Sequence, residues 1–172
     1  HPTAEVLYWV GCYGHFDERN NKVARALIQC LQTANVDFAI LGKEEKCSGE
    51  PVRRIGNEYL YQNLVAENVD TINRHNVKTV ITACPHCFNT IKNEYPQLGG
   101  NYEVIHHTEF ISRLIDTGQL TLPAGFDKRK LTYHDPCFIG RWNGVYAEPR
   151  HAVNVPTGEG DAELERNRTR PS

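Results

Sequence analysis

The sequence predicts an α/β fold: a mostly parallel sheet with flanking helices, built from pseudo-duplicated βαβ units of which the second copy is truncated. Three observations carry this. Short apolar runs alternate with helical patterns along the first 120 residues, the cysteines follow those runs, and the pattern starts again after Pro123. At 172 residues the chain can bury a real core. The restart divides it into a first cysteine-rich unit over 1–125 and the start of a second over 126–172.

Glu5 to Gly11 (EVLYWVG) reads as a buried strand ending at Cys12. From Asn20 to Ala34, Val23, Leu27, Cys30, Leu31 and Ala34 fall on one helical face, making Cys30 a core residue. Val36 to Leu41 is a second strand, and Cys47 sits in the loop beyond it. One long helix is expected from Val52 to about Asn76 on the spacing of Leu60, Leu64, Val65, Val69 and Ile72. Lys78 to Ala83 (KTVITA) is a third strand that delivers Cys84 and Cys87 to a helix over Phe88 to Glu94. Tyr95-Pro96 and Gly99-Gly100 end that helix. Tyr102 to His107 is a fourth strand, followed by a helix marked by Phe110, Ile111, Leu114 and Ile115 and stopped at Gly118. Lys130 to Pro136 (KLTYHDP) resembles a strand ending at Cys137, as Glu5 to Gly11 ends at Cys12. From Pro156 the chain is polar and packs little.

Net charge is −2, which supplies no global field for nucleic acid. No apolar run approaches the roughly 18 residues of a spanning helix. The chain opens at His1 and contains no Met, as a piece of a longer product would. Six scattered cysteines do not make the dense framework of a small secreted domain, so a reducing, cytoplasmic setting with metal or redox chemistry is expected.

Residues 13–46, 34 in number, separate Cys12 from Cys47, and residues 49–83, 35 in number, separate Ser48 from Cys84. In a wound α/β unit such spacers return the chain to the same sheet edge, where four thiols can converge. Four soft sulfur donors suit zinc or a 4Fe-4S cluster, and spacing alone separates neither. Cys84-Pro85-His86-Cys87 alone also fits a dithiol-disulfide enzyme, whose first thiol is activated at a helix start. The Gly11-x-x-Gly14 and Gly158-x-Gly160 pairs lack the remaining parts of a nucleotide fingerprint.

The run Cys12, Cys47-Ser48-Gly49 and Cys84-x-x-Cys87 resembles the first copy of the cysteine-rich CCG domain of heterodisulfide reductase subunits and related iron-sulfur oxidoreductases. The stretches CSGEPVRRIGNE, TACPHCFNTIKNEYPQLGGNYEVIHHTEF and YHDPCFIGRWNGVYAEPR look most like the branch that passes electrons from electron-transfer flavoprotein towards quinone. The resemblance implies an iron-sulfur cluster on Cys12, Cys47, Cys84 and Cys87, with Cys137 as the lone cysteine opening a second copy. It implies a flavoprotein donor, a ferredoxin-like domain or subunit of the same complex, and quinone reached through membrane segments outside this chain. Heterodisulfide reductase and the lactate, glycolate and glycerol-phosphate systems are the alternatives within the resemblance, and a structural zinc-binding module is the alternative of another class. Where the full motif has two adjacent cysteines, this sequence has Cys47-Ser48, which leaves four thiols, enough for an ordinary four-iron cluster, with a noncubane form and hydroxyl ligation by Ser48 as the alternatives. His86, His107 and His134 are candidates to tune or relay at these sites, and Arg53, Arg54, Arg141 and Arg150 to steady thiolate charge.

Overall fold

The computed structural model describes residues 4–123 and 131–158. They fall into two compact units, one up to His106 and one from His107. In the first, a four-stranded sheet of β1 (Val6–Trp9), β2 (Phe38–Ala39), β3 (Thr79–Thr82) and β4 (Glu103–His106) runs in the order β2-β1-β3-β4 with every pair parallel. Helices α1 (Gly11–Phe16), α2 (Glu18–Thr33), α3 (Glu50–Arg54), α4 (Glu58–Arg74) and α5 (Pro85–Asn93) connect and cover the strands. A covered parallel sheet is apolar on both faces. Accordingly Leu7, Tyr8, Trp9, Val80 and Ile81 are all fully buried.

β2 is shorter than the expected 36–41. It pairs only Phe38 with Val6 and Ala39 with Leu7 at the sheet edge, and beyond it the chain turns into a 3-10 segment, Gly42–Glu44. α2 buries Ala24, Leu27 and Leu31, while Val23 is exposed and Cys30 only half-buried, so Cys30 lies at the rim of the core and not in it. Each fully buried leucine contributes about 1.5–3 kcal/mol to folding.

The expected long helix over 52–76 is two helices. α3 ends at Arg54 and α4 starts afresh at Glu58, because Asn57 caps the new helix by accepting the Leu60 N–H at 3.1 Å. Gly11 and Cys12 were expected at a strand end and instead open the short helix α1.

The second unit holds α6 (His107–Asp116), α7 (Gly140–Asn143) and α8 (Ala147–Thr157), with α6 packed on α8. The strand expected over 130–136 is absent from 131–136; Lys130 lies outside the described residues. Pro136 brings no N–H to a ladder, its carbonyl accepts the Ile139 N–H in a turn, and Asp135 is held by Arg150 of α8 through two bonds of 2.7 and 2.9 Å. α8, with Pro156 in its last turn, also extends into what the sequence suggests is an unpacked tail. The rest of that tail and Gly160 lie outside the described residues. No helix among the described residues is long and apolar enough to cross a membrane.

Candidate metal centre

Strand order explains why distant cysteines meet. The chain leaves β1 for β2 on one side and for β3 on the other, which makes the carboxyl ends of β1 and β3 a topological switch point, where open α/β sheets form their crevice. Trp9 pairs with Thr82 across these strands. Cys12 follows Trp9 by three residues and Cys84 follows Thr82 by two. Cys47 arrives on the loop after β2, the other neighbour of β1.

Gly11 supplies the turn that sets this loop beside Cys84 and Cys87. At φ +77° it takes a conformation that side chains rarely adopt, and a Cβ there would lie 3.5 Å from Cys87 Sγ and 3.9 Å from Cys84 Cβ. Cys84 caps α5: its sulfur accepts the Cys87 N–H at 3.4 Å, and its own N–H donates to Thr82 Oγ1 at 3.3 Å. The bond from the Cys87 side chain, with the Cys87 and His86 backbone N–H groups, holds the Cys84 thiol down at about 6 against the opposing effect of burial. Cys87, 4% exposed, is pushed the other way by Cys84 and by burial. Burial, and after it the neighbouring Cys47, raises Cys12. Cys12 and Cys47 line a cavity of about 520 Å³ with Phe16, Lys43, Glu45 and Lys46.

The loop carrying Cys47 is fixed at three consecutive residues. Asn68 Nδ2 donates to the Cys47 carbonyl at 2.9 Å and to the Tyr95 hydroxyl at 3.2 Å, and that hydroxyl donates to the Ser48 carbonyl at 3.1 Å. Gly49 sits at φ +86° under Tyr61, whose Cδ2 would be 2.8 Å from an added Cβ. Ser48 is buried, and Cys87 Sγ donates to its Oγ at 3.5 Å. Glu45 holds the start of α1, accepting from Val10 N–H at 3.0 Å and Gly11 N–H at 2.6 Å, and burial lifts its carboxyl to about 7.

Neither Asn68, Tyr95 nor Glu45 was legible as a site residue. A signal existed for Asn68, a polar residue on the stripe of Val65, Val69 and Ile72; for Glu45, inside the charged run Lys43 to Lys46, none did.

The four thiols of Cys12, Cys47, Cys84 and Cys87 thus share one end of the first unit. Two pairs are evident, Cys84 with Cys87 and Cys12 with Cys47. Among the described residues, no three His, Cys, Asp or Glu side chains stand poised around a single ion. The donor chemistry nonetheless fits a thiolate-bound group: burial raises Cys12, and the Cys84 bond and burial raise Cys87, with repulsion between the sulfurs adding to both, and a bound cation would reverse the sign of that repulsion. His86 is exposed on the first turn of α5, and its backbone N–H is what reaches Cys84.

His107, His134 and Cys137 belong to the second unit, where His134 and Cys137 are exposed and burial lowers His107 to about 4. At the last residue of β4 it is His106 that points inward, its Nε2–H donating to Ala83 O at 3.3 Å and its ring meeting the Phe88 ring edge-on. Arg53 and Arg54 pair with Glu94 and Arg150 with Asp135, so these three cations are engaged by carboxylates.

The model of the CCG cysteine-rich domain family matches residues 6–92, just over half the chain. Among curated proteins the chain is 48% identical over 157 residues to the EtfAB:quinone oxidoreductase of Syntrophomonas wolfei, covering 90% of this chain and 22% of that protein. It is 45% identical over 157 residues to a probable membrane-anchored ferredoxin of Chromohalobacter salexigens, covering 88% of this chain and 23% of that one. It is 42% identical over 164 residues to the probable iron-sulfur-binding oxidoreductase FadF of Bacillus subtilis, covering 95% and 23%. The chain therefore spans under a quarter of the length of these relatives. No solved structure matches.

Proposed function

The chain belongs to the cysteine-rich CCG domain family, and from that premise we propose that it is an iron-sulfur electron-transfer segment of a larger oxidoreductase, with Cys12, Cys47, Cys84 and Cys87 as ligands of one 4Fe-4S cluster. The observation that carries the reading is the delivery of four thiols from three loops to the carboxyl edge of β1, β2 and β3. Bound there, the cluster would supply one-electron chemistry. The protein's part is to keep Cys84 a thiolate with helix N–H groups, to fix the Cys47 loop, and to bring His86 beside the ligands.

On this reading the donor is an electron-transfer flavoprotein and the acceptor a quinone, the pair that the Syntrophomonas wolfei relative is named for. In this proposal a ferredoxin-like domain or subunit of the same complex is a further carrier, and the segment works in the cytoplasm; a membrane association agrees with the relative described as a probable membrane-anchored ferredoxin. Residues 1–125 and 126–172 are the first copy and the start of a second. Cys137 is the first ligand of the second site, with His134 as its proton relay and His107 as a further polar group; no cysteine follows in 138–172. Ser48, standing where heterodisulfide reductases have a second thiol, weighs against disulfide chemistry at the first site.

Anaerobic purification with iron, zinc and labile-sulfide analysis tests this. Brown protein with about four irons and four sulfides per site is the expected result; colourless protein with zinc alone refutes it. Cys12→Ser and Cys47→Ser are expected to lose the cluster, whereas a dithiol enzyme working through Cys84 and Cys87 would keep thiol exchange in both.

A further inference from the structure

We infer that Ser48 tunes the cluster as a hydrogen-bond donor to the Cys87 sulfur and is not a ligand. The inference rests on the cluster reading above and concerns what the substituted position does. Ser48 is 3% exposed, and among the described residues its Oγ has one hydrogen-bond partner, Cys87 Sγ at 3.5 Å. In the thiol form Cys87 donates to that oxygen. A metal-bound thiolate has no proton to give, and a serine hydroxyl both donates and accepts, so on ligation the same contact reverses and Ser48 donates to sulfur.

The hydroxyl cannot drift away from this contact. The Cys47 carbonyl is tied to Asn68, the Ser48 carbonyl to Tyr95, and Gly49 lies against the Tyr61 ring. The protein therefore fixes the backbone at Ser48 and on both sides of it, and among the described residues the Cys87 sulfur is the one hydrogen-bond partner of the hydroxyl. Ligation by Ser48 is disfavoured on other grounds: four thiols are at hand, and an alkoxide is a harder donor than iron-sulfur sites select.

A donor to a cluster thiolate stabilises the reduced, more negative state most, so it raises the reduction potential. In the holoprotein, Ser48→Ala is expected to keep the wild-type iron and sulfide content and to shift the midpoint potential of this cluster to more negative values. Ser48→Thr, which retains the hydroxyl, is expected to bring it back towards wild type. Loss of iron in Ser48→Ala would make Ser48 a ligand and overturn the inference. So would an unmoved potential, or a Ser48→Thr protein that behaves like Ser48→Ala. A wild-type protein without labile sulfide would sink the cluster reading and this one together; a cluster whose potential ignores position 48 sinks this one alone.

Discussion

Asn68 offers the sharpest test of how the Cys47 loop is held. The residue is 1% exposed, and its Nδ2 donates to Cys47 O at 2.9 Å and to Tyr95 Oη at 3.2 Å, while its Oδ1 has no hydrogen-bond partner among the described residues. Asn68→Leu removes two bonds worth about 1 kcal/mol each and strands the Cys47 carbonyl, but it also removes an unsatisfied buried acceptor, so the net loss should be about 2 kcal/mol. At about 2–4 °C per kcal/mol for a chain of this size, Tm should fall by about 4–8 °C. Asn68→Asp has nearly the wild-type shape and should be worse, since it replaces the donor with a second acceptor and buries a charge facing a carbonyl. Thermal unfolding of the apoprotein, with iron content after anaerobic reconstitution, reads both effects. The expected order of stability is Asn68→Asp below Asn68→Leu below wild type. An Asn68→Asp protein as stable as wild type, retaining full iron, would mean that Asn68 does not act as a donor to the loop.

Two further outcomes follow from the same geometry. Gly49→Ala should cost about 1–2 kcal/mol from the left-handed backbone alone, and more from the 2.8 Å approach to Tyr61, seen as a lower Tm with poor iron retention; an unchanged Tm would mean that the loop relaxes freely. His107 is neutral in the fold down to about pH 4, whereas in the unfolded chain it takes a proton below about 6.5, so the unfolded state binds more protons in that window and stability falls as pH drops. At about 1.4 kcal/mol per pH unit the loss is at most about 3 kcal/mol. Glu45, raised to about 7, works in the opposite sense between its unfolded value and 7. The quantity to measure is therefore the difference in stability between wild type and His107→Gln, which should vary between pH 7 and 4; a constant difference refutes the assignment.

The sheet was legible because three of its strands announce themselves: the short apolar runs of β1, β3 and β4 are largely buried and alternate with the helical patterns between them, while the edge strand β2 is short and partly exposed. What escaped was set by contacts of low sequence visibility. The break between α3 and α4 depends on the Asn57 cap, which apolar spacing on either side overrides when the stretch is read as one stripe. The strand suggested by KLTYHDP failed because Asp135 is claimed by Arg150, fifteen residues on, and a propensity reading does not contain that pairing. At the centre, the cysteines were legible from spacing, while the residues that fix the Cys47 loop were not: Tyr95 looks like a helix terminator and Asn68 like an ordinary polar residue until tertiary structure brings both to the loop.

The local features of Cys84 and Cys87 do not by themselves choose between thiol exchange and metal ligation. A helix-start thiol lowered to about 6 beside a buried partner thiol is what a disulfide-exchanging pair needs. It is equally what a pair of ligands needs, since a metal takes the thiolate form. The choice is made by topology. Reversal of winding direction between β1 and β3 puts the loop after β1 against the start of α5, and the left-handed backbone of Gly11, at φ +77°, makes the turn that sets that loop beside Cys87. A dithiol enzyme has no use for two further thiols at that edge, where burial and the neighbouring sulfurs raise Cys12. A cationic cluster core turns the same crowding into attraction, which is the physical reason for preferring ligation, and why Cys12→Ser is the more decisive substitution than either change within Cys84-Pro85-His86-Cys87.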